Sequence, residues 1–427
     1  MKKAPHDTAD VVIVGGGAAG LMAAIQAKTP NNTVLLLEKN ARCGEKLRIT
    51  GGRRCNITNN TPDVRTLVSR YREAGKFLFT PFAQFGVSDT IDWFSHIGID
   101  MKEEAEGRMF PTSESAVDVT DTLIAVAKKA GVMLRPKTVV SGIKKISKGF
   151  SLSLASGQCI EATKVIVATG GTSRPETGSS GDALPWLATL AHTIETPSAA
   201  LVPVEVVELE TTRRLGGVAL KEVLVTLRHD GHVVAKLLGK VLFAHFGLTG
   251  PAILNLSQRI GEALATGGEV AIGIDLCPKK PIDVLERELL ECIIAAPNKL
   301  VRNMVPNFVT SALAVPLLQQ AGIAEHQICH SLTTPERKAL VATMKAWRFT
   351  PVKLLGPERA VVSSGGVALP EIDFRTMESR HVPGLYIVGD VLNINRPTGG
   401  YSLQLAWTTG YIAGKAASGQ MGNQEGR

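Results

Sequence analysis

The feature that most constrains this chain is Gly15-Gly16-Gly17-Ala18-Ala19-Gly20, placed between two short apolar runs. Asp10-Val-Val-Ile-Val14 precedes it. Leu21, Ala24, Ile25 and Lys28 follow at helical spacing, and Thr33-Val-Leu-Leu-Leu-Glu38 is a second apolar run. The order reads as strand, tight turn, helix, strand, the opening of a doubly wound α/β sheet. Gly15 permits the turn, Gly17 lets backbone approach a pyrophosphate, and Gly20 lets helix and strand pack closely. The helix start, with Ala18 and Ala19, directs N–H groups and the positive end of its dipole at phosphates. Glu38, followed by Lys39, stands where a carboxylate accepts ribose hydroxyls. A Rossmann-like dinucleotide site is expected here.

A second motif lies near the other end of the chain. Leu385-Tyr-Ile-Val-Gly389-Asp390 reads as a strand ending in Gly-Asp, and Gly399-Gly400-Tyr401-Ser402-Leu403 opens another helix. Asp390 is placed to accept a ribityl hydroxyl. The Gly399–Leu403 helix start directs its dipole at the edge of a flavin that gains negative charge on reduction. Val165-Ile-Val-Ala-Thr169-Gly170-Gly171 fits the strand that crosses back under such a cofactor. The two motifs together favour FAD over NAD. With no second GxGxxG and no CxxC, NAD(P)H is expected to dock transiently as electron donor, or oxygen to take the electrons.

Between the motifs the texture changes. Helices are expected from Ser88 (as cap) through Trp93, and over Val117–Ala130 ending at Gly131. Strands are expected at Val132–Arg135, Val139–Ile146, Phe150–Leu154 and Lys164–Ala168. From about Pro197, Val204/Val206, Val223/Val225/Leu227 and Val233 alternate as half-buried strands do, with Asp230-Gly231 as a hairpin turn. Helical stretches follow at Pro251–Ala265, Ile282–Ala295, Val309–Gln320 and Pro335–Ala346, before Ala360-Val-Val and Leu385–Asp390 return as buried parallel strands. The expected layout is an α/β FAD-binding domain over 1–195 and 351–427, interrupted by a β-barrel-like and helical substrate domain over 196–350.

At 427 residues the chain can bury a large core, and 44% hydrophobic with 20% charged residues argues against extensive disorder. Six cysteines, widely spaced, give neither a disulfide frame nor a zinc-type Cys/His grouping, so reduced thiols and no metal are expected. Met1–Ala27 resembles a signal peptide only superficially, because Gly15, Gly16, Gly17 and Gly20 break its apolar run. No stretch reaches the ~18 apolar residues of a membrane helix. A cytoplasmic protein with no membrane partner is the expectation. The net charge of +8 serves solubility or marks an anionic partner, nucleic acid included.

The block Gly44-Glu-Lys46-Leu-Arg-Ile-Thr50-Gly51-Gly52-Arg53-Arg54-Cys55-Asn56-Ile-Thr58-Asn59 resembles the signature of the BaiN/YhiN-type flavoproteins, a family with aminoacetone-oxidase-like members. Gly107-Arg-Met-Phe-Pro111, Thr169–Asp182, Leu242–Pro251 and Ser364-Gly-Gly-Val…Glu371…Thr376-Met-Glu-Ser379 match it in order over nearly the whole chain. The resemblance implies FAD, a two-part flavin domain with an insert, and one of several activities. These are reduction of conjugated C=C bonds, amine oxidation, and reduction of uridine in ribosomal RNA to dihydrouridine. It also implies cofactor contacts from Lys46, Gly51, Gly52, Arg54 and Cys55, with Val139 and Gly170 beside them. The chain departs from the family pattern in carrying Arg53 for a third glycine, and Asp390, Asn393 and Ser402 for Glu, Asp and Asn.

Hydride transfer to an activated double bond needs a stacked substrate, a polarising group and often a proton donor. His245 is a candidate donor or a structural histidine bonded to backbone. Cys55 is a candidate donor or nucleophile, or a packed small residue. Arg53, with Arg54 and Arg174, is a candidate to hold an anionic or carbonyl substrate. The leading expectation is an NAD(P)H-driven reductase of a conjugated C=C bond, acting on a small molecule or on uridine in ribosomal RNA. The rivals are an oxygen-dependent oxidase of a small amine or ketone, and a non-catalytic flavin-binding redox module.

Overall fold

The computed structural model describes residues 7–360 and 362–420. The chain divides into one unit formed by Met1–Ala199 with Ala360–Arg427, and a second formed by Ala200–Arg359.

In the first unit β1 (Asp7–Val14), α1 (Ala18–Ala27) and β2 (Val34–Leu37) follow the expected order. β2 is buried throughout and β1 from Val11 to Val14, because a parallel sheet is covered on both faces. The parallel run is Leu385–Ile387, Cys159–Val167, β1, β2 and Met133–Arg135. Short antiparallel strands Ile372–Asp373 and Glu378–Ser379 extend one edge, and the hairpin Val140–Ile146/Gly149–Leu154 branches from Cys159–Val167. The helix Ala116–Ala130 ends on Gly131 in the left-handed region.

The last helix, Tyr401–Ala417, is buried along most of its length. Its Trp407 indole donates to the Ile57 carbonyl at 2.9 Å, and Tyr71 Oη donates to the Tyr401 carbonyl at 2.8 Å. Gly410 and Gly414 pack directly on α1, where a Cβ would fall 2.4 Å from the Ala19 carbonyl oxygen and 2.5 Å from that of Ala23. This close crossing brings the two helix starts together.

The second unit has its own apolar core. Its antiparallel sheet runs Trp347–Phe349, Val270–Asp275, Ala219–His229, His232–Ala244, Gly247–Thr249, Val204–Val206, Pro351–Leu354. The two outer strands are separated in sequence only by Thr350, so the sheet curls back on itself. Helices Pro251–Thr266, Ile282–Ala295 and Thr334–Lys345 accompany it.

Four expectations are corrected. The helix expected from Ser88 spans Val87–His96 and is capped at Gly86, whose N–H donates to Asp89 Oδ2 at 2.8 Å. The helix expected over Val309–Gln320 begins only at Ala314, after a 3-10 turn at Ser311–Leu313. Pro316 has no N–H to give and is tolerated only in a first turn. The strand expected at Lys164–Ala168 starts at Cys159, since Ile160 and Ala162 are buried too. Of Ala360-Val-Val, Val361 lies outside the described residues; the strand there is Val362–Val367, paired with Ile194–Ala200 and not part of the parallel sheet.

Candidate functional site

A cavity of about 540 Å³ opens at the carboxyl ends of the parallel strands of the first unit, where such sheets bind ligands. From β1 and α1 come Gly15, Gly17, Ala18 and Ala19. Gly15 has φ +106°, and a Cβ on it would meet the Ala168 carbonyl oxygen at 2.5 Å. At Gly17 a Cβ would meet nothing within 4 Å, so its backbone faces open space. Gly20 does not line the cavity; a Cβ there would lie 1.9 Å from the Gly15 carbonyl oxygen, so its part is packing.

Glu38 and Lys39 follow β2 into the wall. The Glu38 carboxylate is buried and accepts the N–H of Gly16 at 2.7 Å and of Asn40 at 2.8 Å. It therefore braces the glycine turn as well as facing the cavity. Lys39 Nζ pairs with Asp182 at 2.6 Å, which anchors the segment carrying Thr177, Gly178 and Ser179 along the wall. Thr169 and Gly170 line it from the end of Cys159–Val167.

From the distant motif come Gly389, Asp390, Gly399, Gly400, Ser402 and Leu403. Gly400 caps the last helix at φ +106°, with the Thr58 carbonyl oxygen 2.4 Å from where a Cβ would sit. The unpaired N–H groups of a helix start carry partial positive charge, so both helix starts present it to one cavity. Lys46, Gly51 and Gly52 complete that wall. Lys46 Nζ donates to Ser173 Oγ at 3.2 Å. Burial pushes its ammonium below the ordinary lysine range, Asp390 opposes this, and Arg396 adds to it.

Several expected contacts stand elsewhere. Tyr401 is buried against Tyr71, edge to face at 6.2 Å. Val139, expected to open a strand, is 42% exposed irregular backbone before the strand Val140–Ile146, and its neighbours Thr138 and Val140 line the cavity instead. Arg54 pairs with Glu104 and Glu114 and lies over the Phe110 ring at 4.3 Å. Cys55 is fully buried outside the wall, and burial pushes its thiol up to about 12, so it carries no thiolate at neutral pH. His245 belongs to the second unit, in the turn between His232–Ala244 and Gly247–Thr249, exposed beside Phe246. Arg53 is exposed, with φ +71°, and continues the left-handed turn of Gly51 and Gly52. That conformation costs a residue with a Cβ on the order of 1 kcal/mol.

Two groupings were not foreseen. Arg396, buried, donates to Asp390, to the Ile394 carbonyl at 2.6 Å and to Ser402 Oγ at 3.0 Å. It thus ties together two of the positions where the chain departs from its family pattern, both on the cavity wall. Asn393, the third of that group, accepts the Gly365 N–H at 3.0 Å. Separately, His192 Nδ1 meets Glu371 Oε2 at 3.0 Å and its Nε2 meets Ser379 Oγ at 2.9 Å. Ser379 Oγ already accepts the N–H groups of His381 and Val382, so it donates to Nε2, leaving the ring proton on Nδ1 for Glu371. Residues 192, 371 and 381 also offer ligand atoms within 4.8 Å of one another. The hydrogen bonds occupy both ring nitrogens of His192, which makes this a structural staple.

The cavity fits FAD on its own chemistry. Among the described residues, two buried polar atoms of the wall, Thr169 Oγ1 and Asn56 Oδ1, have no protein partner, and buried polar groups of folded proteins are rarely left so. A polar ligand satisfies them. Two helix starts and two carboxylates, one of each near either motif, suit a dinucleotide carrying a flavin.

The sequence pattern of the HI0933-like protein Rossmann domain family matches residues 9–416. The chain is 32% identical over 406 residues to the ribosomal RNA dihydrouridine synthase of Escherichia coli K12, covering 94% of this chain and 96% of that one. It is 28% identical over 408 residues to the 3-dehydro-bile acid delta(4,6)-reductase of Clostridium scindens, covering 95% and 98%. A flavocytochrome c3 fumarate reductase in its open conformation shares the fold, with TM-score 0.55 at 18% identity over 97% of this chain and 79% of that one. Among the described residues no helix is long and apolar enough to cross a membrane. With its two glycine-lined helix starts on one cavity, the chain belongs to the HI0933-like Rossmann family and is an FAD-dependent oxidoreductase.

Proposed function

We propose that the protein is an NAD(P)H-driven reductase of a conjugated C=C bond, and that its substrate is uridine in ribosomal RNA. The observation that carries the reductase reading is the placement of the last helix start, through Gly399, Gly400, Ser402 and Leu403, on the wall of the cavity. Partial positive charge there favours a cofactor that accumulates negative charge when reduced. Both relatives named above, matched over nearly their full length, bear names of C=C reduction. Identity is higher to the one that acts on RNA, and the net charge of +8 suits a polyanion.

FAD held there would supply a two-electron carrier able to take hydride from a nicotinamide and pass it to an electron-poor carbon. The chain's own residues bind and hold it. The α1 start, through Gly17, Ala18 and Ala19, offers N–H groups to a pyrophosphate, and Arg174 adds positive charge at the wall. Glu38 and Asp390 accept hydroxyls, the second with its carboxylate fixed by Arg396. Asn56 Oδ1 would accept from a polar group of the ligand, and Thr169 Oγ1 would donate to or accept from one. Cys55 stays protonated behind the wall and takes no part as a nucleophile.

The test is direct. Ribosomal RNA transcribed in vitro, and so free of modification, is incubated with the FAD-loaded protein and NADPH, then digested and weighed by mass spectrometry. The expected result is a uridine gaining the mass of two hydrogens, dependent on NADPH. Unmodified RNA, alongside peroxide release from an added amine without nicotinamide, sinks the reading in favour of an oxidase.

A further inference from the structure

Arg53 and Arg54 are adjacent in the chain and opposite in circumstance. Arg54 is anchored, paired with Glu104 and Glu114 and laid on Phe110. Arg53 is exposed, and its side chain makes no hydrogen bond, ion pair or ring contact with any described residue. It is also the third consecutive residue with positive φ, after Gly51 at +54° and Gly52 at +68°. Glycine adopts that turn freely, and at Gly51 it is required, since a Cβ would lie 2.6 Å from the Asn56 nitrogen. At position 53 an L side chain is strained, and its contacts return nothing to the fold. Strain kept by a residue with no internal partner points outside the molecule. The two preceding residues, Gly51 and Gly52, line the cavity, and so does Asn56 just beyond. The guanidinium therefore stands free at the rim.

We propose that Arg53 is a substrate-binding residue, its guanidinium taking the phosphate oxygens of the RNA strand beside the reacting base. A planar fork of N–H donors matches a phosphate in a bidentate way, and no competing carboxylate holds it. This assignment rests on the RNA reading given above. It also accounts for an arginine at a position where the family pattern carries glycine: glycine suffices for the turn, and the arginine adds recognition.

The experiment compares native holoenzyme with Arg53→Gly and Arg53→Lys. Binding of a fluorescent single-stranded, uridine-containing oligoribonucleotide is measured across a salt series, with Tm and bound FAD measured on the same samples. Each neutralised phosphate of a single strand contributes about 0.7 to the slope of log K against log salt. Arg53→Gly is expected to bind roughly tenfold more weakly with a slope smaller by about 0.7, while Tm does not fall and FAD is retained. Arg53→Lys keeps the slope. An unchanged slope in Arg53→Gly, or a lowered Tm, or lost FAD, overturns the assignment, because the side chain then serves nothing, the fold or the cofactor. If the native protein itself shows no salt-dependent RNA binding, the RNA reading fails and the phosphate role falls with it. A steep native slope that the variant shares overturns the role of Arg53 alone.

Discussion

Gly410 sits on the carbonyl oxygen of Ala19, with 2.4 Å between that oxygen and the place a Cβ would take. The last helix and α1 can cross closely only because position 410 has no side chain, and their crossing is what holds two motifs from opposite ends of the chain at one cavity. Gly410→Ala forces the helices apart or distorts them. A loss of about 2 kcal/mol is expected, in the range for overpacked interiors, together with a lower flavin content. Urea unfolding and the visible absorbance of the purified protein check both; full flavin content at native stability contradicts the crossing as described.

Arg396 supports the second helix start through Asp390 and Ser402. Arg396→Met leaves the Asp390 carboxylate without its cation, and removing one partner of a buried pair costs about 3 kcal/mol. A double-mutant cycle between Arg396→Met and Ser402→Ala should show coupling of about 0.5 kcal/mol or more, as for residues in one hydrogen-bond network. Strictly additive effects on urea stability would mean that Arg396 and Ser402 do not act together.

Glu38 uses one carboxylate oxygen for Gly16 and the other for Asn40. Glu38→Gln keeps the shape but replaces one acceptor by a donor, leaving a buried N–H facing an N–H. A stability loss of about 1–3 kcal/mol follows, with weaker FAD binding because the turn at Gly15–Gly17 loosens. Titration of FAD into the apoprotein checks the second part, and native affinity would count against it.

His192 couples stability to pH. Burial holds its pKa below the usual 6.5, Glu371 pulls it up, and His381 pushes it down. The unfolded chain thus takes up a proton at higher pH than the folded one does. Stability from this group is fully present above about 6.5 and declines as pH falls below that value. Tm measured through this range should fall, and less steeply in His192→Phe, although that variant is the less stable at pH 7. Parallel profiles for the two proteins would contradict the staple.

Much of this was legible from sequence because it was local. The Gly15–Gly20 turn with Glu38, and Asp390 with Gly399 and Gly400, declare their conformations through residue types within a few positions. Val139 was taken for a wall residue where Thr138 and Val140 serve, because the strand begins only at Val140 and the irregular backbone before it follows no period of two. What escaped were pairings across long separations. His192 meets Glu371 and Ser379, and Gly410 meets α1, without any signal in the intervening sequence. The tie of Arg396 to Asp390 and Ser402 spans only a few residues, but it depends on side-chain direction in an irregular loop. Cys55 read as a candidate for chemistry from its motif, and burial removes it.

The most direct measurement follows the flavin spectrum anaerobically through two additions. NADPH should bleach the visible absorbance, and unmodified ribosomal RNA should then restore it as uridine is reduced. Bleaching that RNA leaves untouched, or a flavin reduced by a small amine and not by NADPH, would contradict the account.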